Sequence, residues 1–345
     1  MRQASLGERL SARIAAEGPM SVADYMEACL HDPVDGYYAV RPALGAAGDF
    51  ITAPHVSQMF GELLGLWAAE VWTRLGAPPR VRLVELGPGD GTLMSDVLRA
   101  AAAQPGFLAA AEVVLVETSA PLRARQALVL GNSRPRWAER IDDIGEDVPL
   151  IILANEFLDC LPIRQAVRQS GGWRDRRVGL ADGRLAFVAG APVCVPHEGR
   201  EGEIFEWSPA LKAFGAAMAD LISAATGACL FIDYGRDRPE PGDSLQALRG
   251  HRKEGPLDNP GLADLTARVD FTALPHTGPI LTQGEFLRRL GIETRAVALA
   301  AAHPGEAEKI GRQLARLTGA GQMGDLFKVA SLASPGLTPP GFEAP

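Results

Sequence analysis

The chain has 345 residues, enough for two domains or for one domain with large insertions. Its 47% apolar and 22% charged content is that of a globular protein with a sizeable core. A net charge of -8, from 34 basic and 42 acidic residues, gives no reason to expect nucleic acid or an anionic membrane and favours a basic partner.

No apolar run approaches the length of a membrane span, so membrane insertion is not expected. Cys29, Cys160, Cys194 and Cys229 are scattered without paired spacing. That pattern suits neither a zinc site nor a disulfide framework, and no metal is expected. Reduced structural thiols in a cytoplasmic protein are the reading that follows. At the N-terminus Arg2, Arg9 and Arg13 alternate with Glu8 and Glu17 around no apolar core, which is unlike a secretory signal or a transit peptide.

Leu6, Leu10 and Ile14 recur at helical spacing over 5–17, and Gly18-Pro19 ends that helix. Ser21 caps a second helix to about Leu30, with Asp24 at the capping-box position. Residues 31–38 read as a loop with a turn at Asp35-Gly36. The second half of the stretch from Gly48 to Gly65 leads into a helix through Trp72. Gly76-Ala-Pro-Pro79 then punctuates the chain. A helical N-terminal region, 1–75, therefore precedes an α/β core, 76–332.

The core is organised around Val81-Arg-Leu-Val-Glu-Leu-Gly-Pro-Gly-Asp-Gly-Thr-Leu-Met-Ser-Asp-Val-Leu98. An apolar run reads as a buried strand, and Leu93, Val97 and Leu98 fall at helical spacing. Gly87, Gly89 and Gly91 lie between them. A strand that turns at once into a helix needs residues without a Cβ, and such glycines let the backbone approach a ligand at the sheet's carboxyl edge. The dinucleotide fingerprint G-x-G-x-x-G would place its third glycine at Thr92 and fails in its strict form. An acid on the strand, Glu85, would repel a pyrophosphate but suits a ligand with a cationic amino-acid end. S-adenosylmethionine fits.

A second strand, Glu112–Glu117, ends in an acid that can accept hydrogen bonds from two ribose hydroxyls. Asp142 and Asp143 precede the next strand, where either could reach an adenine amino group or simply be solvated. Leu150-Ile-Ile-Leu-Ala-Asn-Glu-Phe-Leu-Asp-Cys-Leu-Pro162 drives an apolar strand into Asn155, Glu156 and Asp159. Polar groups at the tip of a buried strand are costly unless they meet a ligand or each other.

Residues 163–208 read as an inserted β region, with strands at 163–168, 176–180, 184–188 and 203–207 and turns at Gly171-Gly172 and Asp182-Gly183. Ser208-Pro-Ala starts a helix to about Ala225. Gly227–Gly235 is another buried strand ending in polar residues, and 236–270 read as a long loop. Helices follow at 282–291 and 306–317, then a last strand at 325–332. The Pro- and Gly-rich tail, 333–345, reads as disordered.

Gly48-Asp-Phe-Ile-Thr-Ala-Pro, Gln58-Met-Phe-Gly-Glu-Leu, Val84-Glu-Leu-Gly-Pro-Gly-Asp-Gly-Thr-Leu-Met, Ala154-Asn-Glu-Phe-Leu-Asp-Cys-Leu-Pro and Asp264-Leu-Thr-Ala resemble one family. It is the family of S-adenosylmethionine-dependent methyltransferases that includes the mitochondrial complex I assembly methyltransferase, called MidA in some organisms. The resemblance runs to about Leu332 and is to its bacterial members. It implies the seven-stranded, Rossmann-like class I methyltransferase fold with a helical N-terminal part. For the mitochondrial member it implies N-methylation of an arginine in a complex I subunit, hence a protein substrate here.

On that footing Gly87, Gly89 and Gly91 would bed the cofactor, Glu85 would face its cationic end and Glu117 would hold its ribose, with Asp142 near the base. Carboxylates suit a guanidinium, a cation with a planar fork of donors. Glu156 and Asp159 would orient it and Asn155 would fix one N–H, with Glu62 and Asp49 as weaker candidates. Three departures stand out. His55 occupies a position where an acid is expected, Arg268 one where the family often has His, and 271–278 look shortened at the sheet's far edge. The residues alone leave open a cofactor-binding assembly factor without turnover, or methylation of a small molecule.

Overall fold

The computed structural model describes residues 4–40 and 52–343. Among the described residues seven strands form the continuous order of the central sheet: β1 (Val81–Leu86), β2 (Ala111–Val116), β3 (Arg136–Ala138), β4 (Leu150–Asn155), β5 (Gly227–Arg236), β6 (Leu281–Thr282) and β7 (Phe327–Ala333); an eighth, two-residue strand, Val269–Asp270, pairs in parallel with the end of β5 off that order. Their lateral order is β6-β7-β5-β4-β1-β2-β3. The strands from β5 to β3 pair in parallel, and β7 runs antiparallel between β5 and β6. This is the seven-stranded methyltransferase sheet that the resemblance implies. The shortened segment before β6 leaves a two-residue edge strand, Leu281 opposite Val329 and Thr282 opposite Lys328, so the far edge is present.

Every residue of β1 and β4 is buried, which is why both read as unbroken apolar runs. Alternate side chains feed two cores. Leu83, Leu115, Leu153 and Leu230 meet the helices Gln58–Arg74 and Thr92–Ala101 on one face. Val84, Val114, Ile152 and Phe231 meet the helix Pro209–Ala225 on the other. Each such side chain contributes about 1.5–3 kcal/mol relative to exposure.

The N-terminal helices divide between two layers. The helix Gln58–Arg74 belongs to the central core through Phe60, Leu64 and Trp67. The helices Leu6–Glu17 and Val22–His31 are capped by Ser5 and Ser21. They pack instead on the inserted strands, with Leu10, Tyr25 and Met26 against Ile163, Val178 and Leu265. Met20–Ser21 even adds a short antiparallel strand to the insertion, opposite Arg177 and Val178. The four inserted strands run at Arg164–Gln169, Gly172–Ala181, Arg184–Pro192 and Ile204–Trp207.

Two expectations need correction. The stretch 236–270 holds a three-stranded sheet, Gln246–Arg249, Arg252–Glu254 and Asp264–Thr266, whose strands are too short and too charged to show alternation. The tail is ordered through Glu343. Leu337 and Phe342 are buried in the central core, Trp67 donates to the Pro340 carbonyl at 3.2 Å, and Ser334 Oγ accepts from Gly227 N–H at 2.8 Å. Proline there removes donors, not carbonyls, so a Pro-rich segment can still be tied down through its acceptors. Among the described residues no helix is long and apolar enough to cross a membrane.

Candidate active site

The carboxyl ends of β1, β2 and β4 open into one cavity of about 390 Å³, a size suited to a cofactor. β1 delivers Glu85, and the chain turns through Gly87, Gly89 and Gly91 with φ of 62°, 55° and 88°. All three lie in the left-handed region that glycine enters without cost. Gly91 then caps the helix Thr92–Ala101. The turn is buttressed from the next unit. Gln126, fully buried, donates to the Gly89 carbonyl at 2.7 Å and accepts from Trp137 Nε1 at 2.8 Å.

Glu85 is buried at the base of the turn, and among the described residues its Oε2 has no hydrogen-bond partner. Burial, aided by the nearby Asp90 charge, pushes its carboxyl up to about 8, against a backbone hydrogen bond from Met94. Glu117 stands just past β2 on the cavity wall and accepts from Ser119 N–H at 2.8 Å. Burial raises its carboxyl too. Asp142 is not brought in. Its side chain is 77% exposed in an ion pair with Arg140 at 3.4 Å, while Glu139, Arg140 and Ile141 line the cavity in that segment.

The other half of the cavity forms where β4 ends. Asn155 and Glu156 line it, and Asp159 does not. Glu156 holds φ 51°, unusual for a side-chain-bearing residue, and its N–H continues the ladder to the Ile232 carbonyl at 2.9 Å. Its Oε1 accepts from Ala53 N–H at 3.0 Å and Asn155 Nδ2 at 3.2 Å. Burial still lifts the carboxyl to about 7. Asn155 Oδ1 is buried without a partner among the described residues.

Asp159 is half-buried outside the cavity lining, beside the buried Asp233 and Asp264, where desolvation and those neighbours push its carboxyl well up. Asp233, near the carboxyl end of β5, accepts from the N–H groups of Leu158 at 2.8 Å, Asp159 at 3.2 Å and Tyr234 at 2.8 Å. It thereby fixes the loop that carries Glu156.

The N-terminal region closes this half. Tyr38 lines the cavity and its hydroxyl donates to Asp264 at 3.4 Å. Thr52, Pro54 and His55 line it beside the glycine turn. Of the weaker candidates, Glu62 is a structural anchor: it is buried in ion pairs with Arg99 and with Arg295 at 2.7 Å, away from the cavity. Asp49 lies outside the described residues. Arg268 pairs with Glu240 at 3.1 Å, also away from the cavity.

Gln126, Tyr38, His55, Asp90 and Asp233 are site residues that sequence reasoning did not assign. Asp233 carried the same signal as Glu156, an acid at the tip of a buried strand. Asp90 lay inside the glycine turn and His55 stood out as a departure, but their pairing, like the contacts of Gln126 and Tyr38, joins segments distant in sequence.

These residues fit S-adenosylmethionine. A buried, unpartnered carboxylate oxygen waits at the base of a glycine turn, and a second acid stands one strand over. One expected result follows from Glu85. A cation favours its ionised form, so binding S-adenosylhomocysteine at pH 7 should expel a proton. Calorimetry in buffers of different ionisation heat should detect that release in the wild type and find it missing in Glu85→Gln, with affinity at least about tenfold weaker. The same shift has a stability sign. The folded free chain holds a proton on Glu85 that the unfolded chain loses, so its stability falls as pH climbs from 4.5 towards about 8.

Residues 63–284 match the family described as "Putative S-adenosyl-L-methionine-dependent methyltransferase". Among curated proteins, the chain is 36% identical over 336 residues to "Protein arginine methyltransferase NDUFAF7, mitochondrial" of Danio rerio, covering 86% of this chain and 78% of that one. The protein of the same name from Homo sapiens is 34% identical, covering 83% and 73%. Among solved structures, a COG1565 superfamily member from Burkholderia thailandensis, bound to S-adenosyl-homocysteine, superposes with a TM-score of 0.84 at 28% identity, covering 98% of this chain and 92% of that one. The cavity, its orphaned carboxylate and these relatives agree: the chain belongs to the family of S-adenosylmethionine-dependent methyltransferases.

Proposed function

We propose that the methyl acceptor is an arginine guanidinium of a protein, a respiratory complex I subunit or a similar one. The observation that carries this reading is a group of carboxyls without a Lys or Arg partner beyond the cofactor half. Glu156, Asp159 and Asp233 all hold their protons more tightly than ordinary carboxyls. Among the described residues no Lys or Arg is ion-paired with any of the three. A buried acidic group of this kind is costly alone and is relieved by a cation. The names of the curated relatives point the same way, and a chain of net charge -8 favours a basic partner.

Bound S-adenosylmethionine supplies a methyl already activated on a sulfonium. The chain must align the acceptor and take a proton. Glu156 faces the cavity and is the group placed to orient the attacking nitrogen. A methylated acceptor nitrogen must lose a proton, and Glu156, whose carboxyl burial lifts to about 7, would receive it. Asn155 Oδ1, buried and without a partner among the described residues, would accept from a second N–H. Asp159 and Asp264 lie close to one another outside the cavity lining and stiffen the wall without touching the reacting nitrogen.

The test is label transfer. The chain is incubated with methyl-labelled S-adenosylmethionine and an extract of cells that lack it, and labelled protein is hydrolysed to amino acids. Methylarginine is the expected product. Label confined to small molecules, or to methyllysine, would remove the arginine reading.

A further inference from the structure

The turn Thr52–Ser57 is tied to the site at two points. Ala53 N–H donates to Glu156 Oε1 at 3.0 Å. Two residues on, His55 is held at both ring nitrogens, Nδ1 against Thr52 Oγ1 at 2.7 Å and Nε2 against Asp90 Oδ2 at 3.1 Å. Asp90 sits inside the glycine turn, and its other oxygen accepts from Thr92 N–H at 3.0 Å, where the following helix begins. One short segment therefore spans the cavity from the cofactor turn to the carboxylate that faces the acceptor. We infer that His55 is a positioning residue, which fastens this segment to Asp90 and thereby holds the Ala53 N–H on Glu156.

The bridge is well made. Both side chains are largely buried, at 18% and 17% exposure, so solvent screens the pair little. Burial alone would raise the Asp90 carboxyl, but hydrogen bonds from His55 and Thr92 outweigh it and hold the group down at about 2. The reciprocal bond raises His55 above its ordinary value. Three carboxylates face the imidazole: Asp90 from the glycine turn, Asp96 from the helix Thr92–Ala101, and Glu156 from the loop after β4. Below its own pKa the His55 cation favours the ionised form of Glu156, the form that accepts a proton. His55 thus has two effects on Glu156, one through the Ala53 N–H and one through charge.

The inference rests on Glu156 acting in the reaction, and the test separates the two. Wild type, His55→Ala, His55→Gln, Asp90→Asn and Glu156→Gln are compared as full chains. Initial rates of label transfer to extract protein are followed across pH, and affinity for S-adenosylhomocysteine is measured by calorimetry. The His55 ring is titrated by NMR. In wild type its midpoint is expected above the ordinary value of 6.5 and should fall in Asp90→Asn.

His55→Ala should slow transfer about tenfold at its optimum, because a small displacement of the orienting group is enough. Its acid limb should move to higher pH, with affinity for S-adenosylhomocysteine within about threefold of wild type. His55→Gln restores a donor towards Asp90 but no charge. It should recover most of the rate at high pH and keep the displaced limb. A wild-type rate and limb in His55→Ala would overturn the inference. So would a rate loss matched entirely by weaker cofactor binding with an unmoved limb. An ordinary midpoint for His55 would overturn it through the bridge itself. Wild-type turnover in Glu156→Gln would remove the reading beneath it, and that outcome is recognisable because the raised midpoint would survive.

Discussion

Gly87→Val should cost the chain at least about 100-fold in affinity for S-adenosylhomocysteine. Two independent effects combine. Gly87 holds φ +62°, and a β-branched residue there is strained by roughly 1–2 kcal/mol before any contact is counted. A Cβ added at that position would also lie 2.9 Å from Phe157 Cδ2, closer than real Cβ atoms come. The Phe157 ring packs against Phe214 with ring centroids 5.6 Å apart and itself lines the cavity. Relief comes either from the glycine turn or from the ring moving into the cavity, and both intrude on the space for the cofactor. Calorimetry with S-adenosylhomocysteine checks the expectation, and circular dichroism confirms that the variant folds. A second variant separates the causes. Gly87→Ala with Phe157→Ala removes the collision and keeps the strain, so it should recover only part of the loss. Wild-type affinity in Gly87→Val would mean that the cofactor does not rest on this turn.

The two halves of the cavity were unequally legible. The cofactor half is contiguous in sequence. A buried strand, an acid on it, three glycines and a helix fall within the eighteen residues Val81–Leu98, and each has one local physical reason. Glu117 could be read by the same logic, since a strand's last residue must lie at the carboxyl edge. Asp142 could not be placed this way. A loop residue's side chain is free to face either side of the chain, and here solvent and Arg140 took it. Asp159 reads in sequence as equal to Glu156, yet three residues of a tight loop turn it behind the wall, towards Asp233. The acceptor half was beyond the sequence because its walls come from distant segments. Tyr38 meets Asp264, Ala53 meets Glu156 and His55 meets Asp90, and no periodicity links the members of any pair. Composition also misled at the tail. Pro and Gly suggest disorder, but Leu337 and Phe342 are enough to anchor it.

Glu156→Gln should lower methyl transfer to extract protein by about 10²–10⁴-fold, the range of a lost general base, while affinity for S-adenosylhomocysteine stays within a few-fold. The substitution is chosen because glutamine leaves the local geometry intact. Its amide oxygen can still accept from Ala53 N–H and Asn155 Nδ2, so the loop keeps its shape and its strained φ of 51°. What disappears is the negative charge and the capacity to take a proton. On the proposed guanidinium acceptor both matter, since the charge orients the cation and the methylated nitrogen must lose a proton. Asp159→Asn provides the contrast. That carboxyl is outside the cavity and already strongly favours its protonated form. Neutralising it should therefore cost no more than about tenfold, through slacker packing behind the wall. The pH profile gives a further handle. The wild-type rate should climb through an acid limb near the value of about 7 held by Glu156, whereas the residual rate of Glu156→Gln should lack that limb. If Asp159→Asn is the more damaging of the two, the roles assigned to these carboxylates are exchanged, and the reacting nitrogen must approach from the Asp264 side.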